Sequence, residues 1–347
     1  MTSMAVVIRS GLWTVGLILV VLATSCDRVT PTSAISLPAG TAQVASGVAW
    51  SQWSTPVNLR EINSSVQDRQ PTLSPDGLSL YFTSRRPGGL GVDDIWVSHR
   101  ATGDGAWQTP QNLGQPVNSS SEDRGPCLSN DGHLLFFFSD RPGGQGGPDI
   151  YVSHRTLVHD DFNWTSPVNL GLDVNTSQYE AGPDYLQPIE DGPINLYFGR
   201  GPDGVAIDIY AAAIDRNGET RGPATPVSEL NFAVAGITDA KTSVSRDGKE
   251  VIFFSTRPGG FGLADLYVST RPTIYSEWSP PVNLGQPINT EYADTEPWLS
   301  FDGETLLFAS NRPGGLGLVD LWMSTRKRIP HANVSTPDRR ENGGVLR

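Results

Sequence analysis

A carboxylate recurs near the start of five similar segments of the chain: Asp68, Asp123, Glu180, Asp239 and Asp294. Arg69 and Arg124 directly follow two of them, and Lys241 stands two residues beyond a third. Acids gathered around one point could hold a cation such as calcium, or hydrogen-bond a sugar. Two of them could also act as the acid and base of a glycosidase. Close together and dry, five carboxylates repel, so a cation, water or the basic neighbours must compensate. The alternative is that each acid caps backbone amides of its own segment, once per repeat. Glycosidase chemistry needs an acid and a base in different environments, which repeat-equivalent residues do not suggest. No residue is therefore assigned as catalytic, and no cofactor is required.

A second recurrent set joins a loop arginine to a later aspartate: Arg86 with Asp94, Arg141 with Asp149, Arg257 with Asp265, and Arg312 with Asp320. Glycines between them permit a tight loop, and the expectation is a bidentate ion pair closing it. The other reading places these arginines at the rim against an anionic glycan. His99 and His154 share a repeat position that later holds Thr270 and Thr325, which suggests strand ends facing solvent. There is no nucleophile elbow, phosphate loop or zinc spacing.

These residues sit on a repeat. The turn glycines Gly77, Gly132, Gly192, Gly248 and Gly303, and the loop prolines Pro87, Pro142, Pro202, Pro258 and Pro313, advance in the same steps of 55, 60, 56 and 55. That period suits a four-stranded propeller blade. Each unit reads as a first strand, an Asp-Gly turn, and a short unbroken apolar strand such as Leu134 to Phe138. A glycine loop, a third strand such as Asp149 to Val152, and a Trp…Pro-Val-Asn-Leu edge strand follow. Trp53 to Leu59 is an edge strand lying before any first strand, and the last unit lacks its own. The expectation is an all-β, five-bladed propeller over residues 50–328, its last blade completed by the N-terminal strand. The third unit departs from the pattern around Pro188 to Glu190 and in its loop, and the fourth has Lys241-Thr242 where the others have proline. An asymmetric site is therefore sought between the third and fourth blades.

The Ser74-Pro75-Asp76-Gly77 turn and the Arg-Pro-Gly-Gly-x-Gly loops resemble the TolB-like propeller family with WD-like repeats, over roughly residues 50–328. The resemblance implies an exported bacterial protein of the cell envelope, and it leaves the function open, since the family holds binding proteins and enzymes alike. In propellers, ligands usually meet the face where loops enter the innermost strands. The expected binding residues are thus Asp68, Arg69, Asp123, Arg124, Glu180, Asp239, Lys241 and Asp294.

The ends of the chain agree with export. Arg9 precedes the apolar run from Gly11 to Leu22, which has signal-peptide length and is short for a permanent span. Leu22-Ala23-Thr24-Ser25-Cys26 resembles the lipobox of bacterial lipoproteins, with Ala23 departing from the usual large aliphatic residue. Signal cleavage after about residue 25 and lipidation of Cys26 are expected, with ordinary cleavage near Ser25 as the alternative. Residues 26–49 read as a flexible tether and 329–347 as a disordered tail. Cys127 reads as a buried free thiol. A formal charge of −12 argues against nucleic acid. The expected protein is a monomer in the periplasm or at the outer membrane, touching the membrane only through its lipid. Its partner would be an envelope protein or a cell-wall or plant glycan, and glycan hydrolysis is the alternative activity.

Overall fold

In the computed structural model, which describes residues 43–45 and 48–329, five four-stranded antiparallel sheets form a ring. The first blade runs outward from its innermost strand Asp68–Leu73 through Ser79–Ser84 and Asp94–His99 to the edge pair Gln111–Asn112. The second, third and fourth repeat that order. In the fifth, Asp294–Leu299, Thr305–Ser310 and Asp320–Thr325 are completed by Val57–Asn58 from the other end of the chain. Trp322 faces Asn58 and Met323 faces Val57 across that closure, and the Leu59 amide extends it with a bond to the Leu321 carbonyl (3.0 Å). The fold is a five-bladed β-propeller.

The sequence dictates this locally. Second strands are apolar on both faces because neighbouring blades cover both: Leu134 to Phe138 are all buried, as are Leu80, Tyr81 and Phe82. The turns are set by their aspartates. Asp76 accepts the Ser74 hydroxyl (2.6 Å) and the Leu78 amide (3.0 Å), and Gly77 supplies the positive φ of 72°.

Blades are also pinned by an asparagine that precedes each innermost strand: Asn63, Asn118, Asn175, Asn231 and Asn289. Each side-chain amide bonds both the N–H and the C=O of one third-strand residue, as Asn175 does with Ile150 (2.8 Å each way). Asn63 does so with Leu321 across the ring closure. Asn175→Ala should cost about 1–3 kcal/mol, the range for leaving buried backbone groups unpaired, read as a shifted urea midpoint.

Two expectations about the chain ends change. Gln43–Ala45, inside the stretch read as tether, and Val48–Trp50, which spans its end, form strands, and Val48–Trp50 pairs with Arg328–Ile329 in a separate three-stranded sheet. The tail therefore contributes a strand at its first residue, Ile329. The leader, Cys26 with its lipidation, the rest of the tether and residues 330–347 lie outside the described residues.

Candidate functional site

Four of the five recurrent acids open the innermost strands and Glu180 follows Tyr179 at the start of the other, as expected of loops gathering at one face, but all five are fully buried. Each is held by the loop arginine of its own blade. Arg86 meets Asp68 at 2.7 Å, Arg141 meets Asp123 at 2.6 Å, Arg257 meets Asp239 at 2.6 Å and Arg312 meets Asp294 at 2.5 Å. The third blade does the same with Arg200 and Glu180 (2.9 Å) despite its altered loop. The acids also accept amides four to seven residues upstream, such as Ser119 N to Asp123 (2.6 Å) and Phe232 N to Asp239 (2.7 Å). The capping alternative thus describes their hydrogen bonds, with an arginine added.

This corrects the pairing expected from sequence. Arg86, Arg141, Arg257 and Arg312 do not pair with Asp94, Asp149, Asp265 and Asp320. The ladder explains why: Ser84 lies opposite both Asp68 and Asp94. Arg86 turns inward over Ser84, its guanidinium stacked on Phe82 and Trp96, and reaches the inner acid and the Ile62 carbonyl (2.7 Å). Asp94 instead accepts loop amides from Leu90 (2.6 Å) and Gly91 (3.2 Å). A side chain at Gly89 would strike that carboxylate, and one at Gly91 would strike the Ser121 carbonyl of the next blade, which accounts for the glycines.

Beyond each acid the innermost strand bulges. The residue two places on has a left-handed backbone in every blade: Gln70 (φ 55°), Gly125 (63°), Gly182 (61°), Lys241 (47°) and Glu296 (55°). Three of the five are not glycine, and such strain tends to mark functional positions. Gln70 is buried and accepts the Thr83 hydroxyl (2.9 Å). Lys241 is 4% exposed and its Nζ donates to the Pro183 carbonyl (3.2 Å). Its stem passes 3.2 Å from where a Cβ on Gly182 would stand. Glu296 is half-buried, with its Oε2 shut off from solvent and without a hydrogen-bond partner. Burial raises its carboxyl pKa against the opposing pull of Arg69 and Lys241.

Arg69 shares Asp93 with Arg85 (2.8 Å each), and Arg124 meets Glu122 (2.9 Å). The Nε atoms of Arg69 and Arg124 are buried without partners. Tyr179 packs edge-on to Phe138, and Arg124 lies over the same ring. Arg124, Arg69 and Glu296 all act on the Tyr179 hydroxyl, whose pKa burial raises. The mouth of the ring thus brings together Arg69, Arg124, Tyr179, Lys241 and Glu296. Of these, Tyr179 and Glu296 were not singled out from sequence as ligand-facing. Asp68, Asp123, Glu180, Asp239 and Asp294 lie behind them as supports. Among the described residues no group of three His, Cys, Asp or Glu could hold a metal ion, so the acids form no calcium cage.

The sought asymmetry does gather chemistry between the third and fourth blades. Asp184, buried on the innermost strand of the third, accepts the Val244 amide of the fourth (2.9 Å), and burial pushes its pKa up to about 6 against the attraction of Lys241. Cys127 and Ser243 take the equivalent bond from the next blade (Tyr185 N, 3.2 Å; Leu299 N, 2.8 Å). Cys127 is a buried free thiol whose pKa burial raises to about 12. In the fifth blade Trp298 stands at this place and has no acceptor to offer.

No family model and no curated protein matches the sequence. Solved structures of similar fold include the α-L-arabinofuranosidase PaAbf62A from Podospora anserina in complex with cellotriose. It is 10% identical, with a TM-score of 0.53 over 80% of this chain and 97% of that one. The catalytic domain of the Coprinopsis cinerea GH62 α-L-arabinofuranosidase is 11% identical, with a TM-score of 0.54 over 82% and 98%. The GH43_1 enzyme from Xanthomonas citri complexed with xylotriose is 14% identical, with a TM-score of 0.52 over 80% and 90%. At this identity the likeness is one of fold.

Proposed function

We propose that this chain is an exported, lipid-anchored propeller of the bacterial envelope that recognises a glycan at the channel mouth. The observation carrying this reading is the cluster of partly exposed side chains there: Arg69, Arg124, Glu122 and Glu296, beside the Tyr179 ring. Sugar hydroxyls accept from guanidinium N–H groups and donate to carboxylates, and an aromatic ring offers a surface for a pyranose face. Solved propellers of the same fold hold cellotriose and xylotriose, which supports an oligosaccharide as the ligand class. Export and lipidation rest on the leader and Cys26, and kinship with TolB-like propellers rests on the repeat.

Hydrolysis is the second reading, favoured by one observation. Glu296, with its raised pKa, is a carboxyl suited to general-acid work. Against it, the carboxylates near Glu296 among the described residues are arginine-paired: the five ring acids each hold one arginine, Asp93 holds two, and Glu122 meets Arg124. Calorimetric titration with arabino-, xylo- and cello-oligosaccharides and peptidoglycan fragments, alongside aryl-glycoside assays, separates the readings. Binding without turnover, weakened at least tenfold in an Arg69→Met, Arg124→Met double variant, is the expected result. Turnover that disappears in Glu296→Gln would establish the hydrolase, and no binding to any glycan would remove both.

A further inference from the structure

On the face opposite the mouth, a cleft of about 790 Å³ opens between the fifth and first blades. It arises from two local omissions. In four blades an arginine ends the third strand and donates Nε to the carbonyl of its own turn glycine: Arg100 to Gly77 (2.8 Å), Arg155 to Gly132 (2.7 Å), Arg271 to Gly248 (2.6 Å) and Arg326 to Gly303 (2.8 Å). Each stacks on a tryptophan of its own blade: Trp107, Trp164, Trp278 and Trp53. Three then reach the preceding blade. Arg155 bonds the Tyr81 hydroxyl (3.0 Å), Arg326 bonds Glu250 (2.8 Å), and the Arg271 charge acts on the Tyr197 hydroxyl. Among the described residues Arg100 makes no such bond: the fifth-blade residues equivalent to Tyr81 and Tyr197, and to Glu250, are Leu307 and Thr305.

The second omission is a filler. Three residues beyond its arginine the fourth blade carries Ile274, buried between the third and fourth blades, its Cγ2 only 2.9 Å from where a Cβ on Gly248 would stand. In the second blade Asp161 fills the gap, taking Arg155 at 2.5 Å. In the first blade the position of Ile274 is Gly103, and a Cβ there meets nothing within 4 Å. The space so left is lined by Leu80, Leu307 and Met323, and walled by Trp107, Trp298 and Phe301. Arg100 and Arg246 stand at its edge, Arg246 over the Phe301 ring at 5.1 Å. Among the described residues neither has a carboxylate at ion-pair distance.

The rim also carries Asp76, Asp104 and Asp302, whose charge tempers the field. Their acceptors serve local turns: Asp76 takes Ser74 and Leu78 N, Asp104 takes Thr102 (2.8 Å), and Asp302 takes Ser300 and Glu304 N (2.9 Å). These bonds fall on one oxygen of each carboxylate, and the charged donors at the cleft are the two guanidinium groups, which bind carboxylates bidentately.

We propose that this cleft is a second ligand site, separate from the mouth, for an amphipathic carboxylate whose apolar or aryl body lies among Trp107, Trp298 and Phe301 and whose charged end meets Arg100 and Arg246. Its volume is that of an ordinary small-molecule site. Titration of the full chain with 2-naphthoate and its neutral isostere 2-naphthamide tests it. Naphthoate should bind at least tenfold tighter than the amide, and Arg100→Met with Arg246→Ala should bring the two to parity. Gly103→Ile fills the space with no backbone cost, since its φ lies outside the left-handed region. It should abolish binding of both compounds while leaving the melting temperature equal or higher. Tighter binding of an acetylated peptide ending in free phenylalanine than of naphthoate would assign the carboxylate to a peptide terminus, and the reverse order to a free acid; both support the site. Equal affinity of naphthoate and naphthamide, or unchanged binding in a folded Gly103→Ile variant, overturns it. Glycan binding at the mouth should be untouched by any of these variants, so the two sites fail independently.

Discussion

Replacing Arg141 by methionine should destabilise the protein by about 3–5 kcal/mol, the cost of leaving a buried charge without its partner. Asp123 is fully buried and keeps only its bonds to Ser119 once the guanidinium at 2.6 Å is gone. The loss extends further, because the same guanidinium caps the Val117 carbonyl (2.5 Å) and stacks on Phe137 and Tyr151. Methionine retains part of the packing, which isolates the charge. Asp123→Asn with Arg141→Met should recover much of the loss, since the orphaned charge is then removed as well. The exposed pair of Arg221 with Asp215 is the contrast: its arginine is 58% exposed, and Arg221→Met should cost less than about 1 kcal/mol. Urea midpoints at unchanged m-value would measure all three variants. A loss for Arg141→Met no larger than for Arg221→Met would contradict the structural role given to the clasp.

The second large effect is a pH dependence. Asp184 is buried with its pKa pushed up to about 6 from 3.8, so the folded state holds its proton more tightly than the unfolded chain does. Between about pH 4 and pH 6 the folded form then binds more protons, and stability falls as pH rises through that window. Above it the full penalty of a buried carboxylate persists, about 3 kcal/mol from a shift of about two units. Asp184→Asn keeps an acceptor for the Val244 amide and removes the titration. The variant should therefore match the wild type near pH 4 and be more stable than it by about 2–3 kcal/mol at pH 7. Glu296 contributes in the same sense, its pKa also being raised by burial, and remains in both proteins. The difference between their stability–pH curves thus isolates Asp184. A constant difference from pH 4 to pH 7 would show that Asp184 does not titrate in this range.

Much of the architecture was legible because it repeats. Turn aspartates, glycine loops and apolar second strands each occur with the same phase, and the stray edge strand at Trp53 to Leu59 pointed to the closure that Val57 and Met323 make. The partner of Arg86 was not legible, because Asp68 and Asp94 stand on either side of the same serine, and spacing along the chain cannot say which way the arginine turns. The pinning asparagines were overlooked for a different reason. Asn175 looks like one more polar loop residue until its amide is seen to close on Ile150. The left-handed ring had a faint signal in Gly125 and Gly182, each followed by proline, and the same place in other blades holds Gln70, Lys241 and Glu296. Glycine advertises a positive φ, whereas a glutamate held there by its surroundings does not. Gly103 carried its meaning only by comparison with Ile274, which becomes visible once the blades are superposed in space.

The measurement that tests the central claim most directly is a crystal structure of the protein soaked with its tightest-binding oligosaccharide. The account predicts sugar hydroxyls within hydrogen-bond distance of the Arg69 and Arg124 guanidinium groups and the Glu296 carboxylate, a ring against Tyr179, and the five acid–arginine clasps unchanged behind them. A sugar seated elsewhere, or one that displaces Arg141 to reach Asp123, would contradict it.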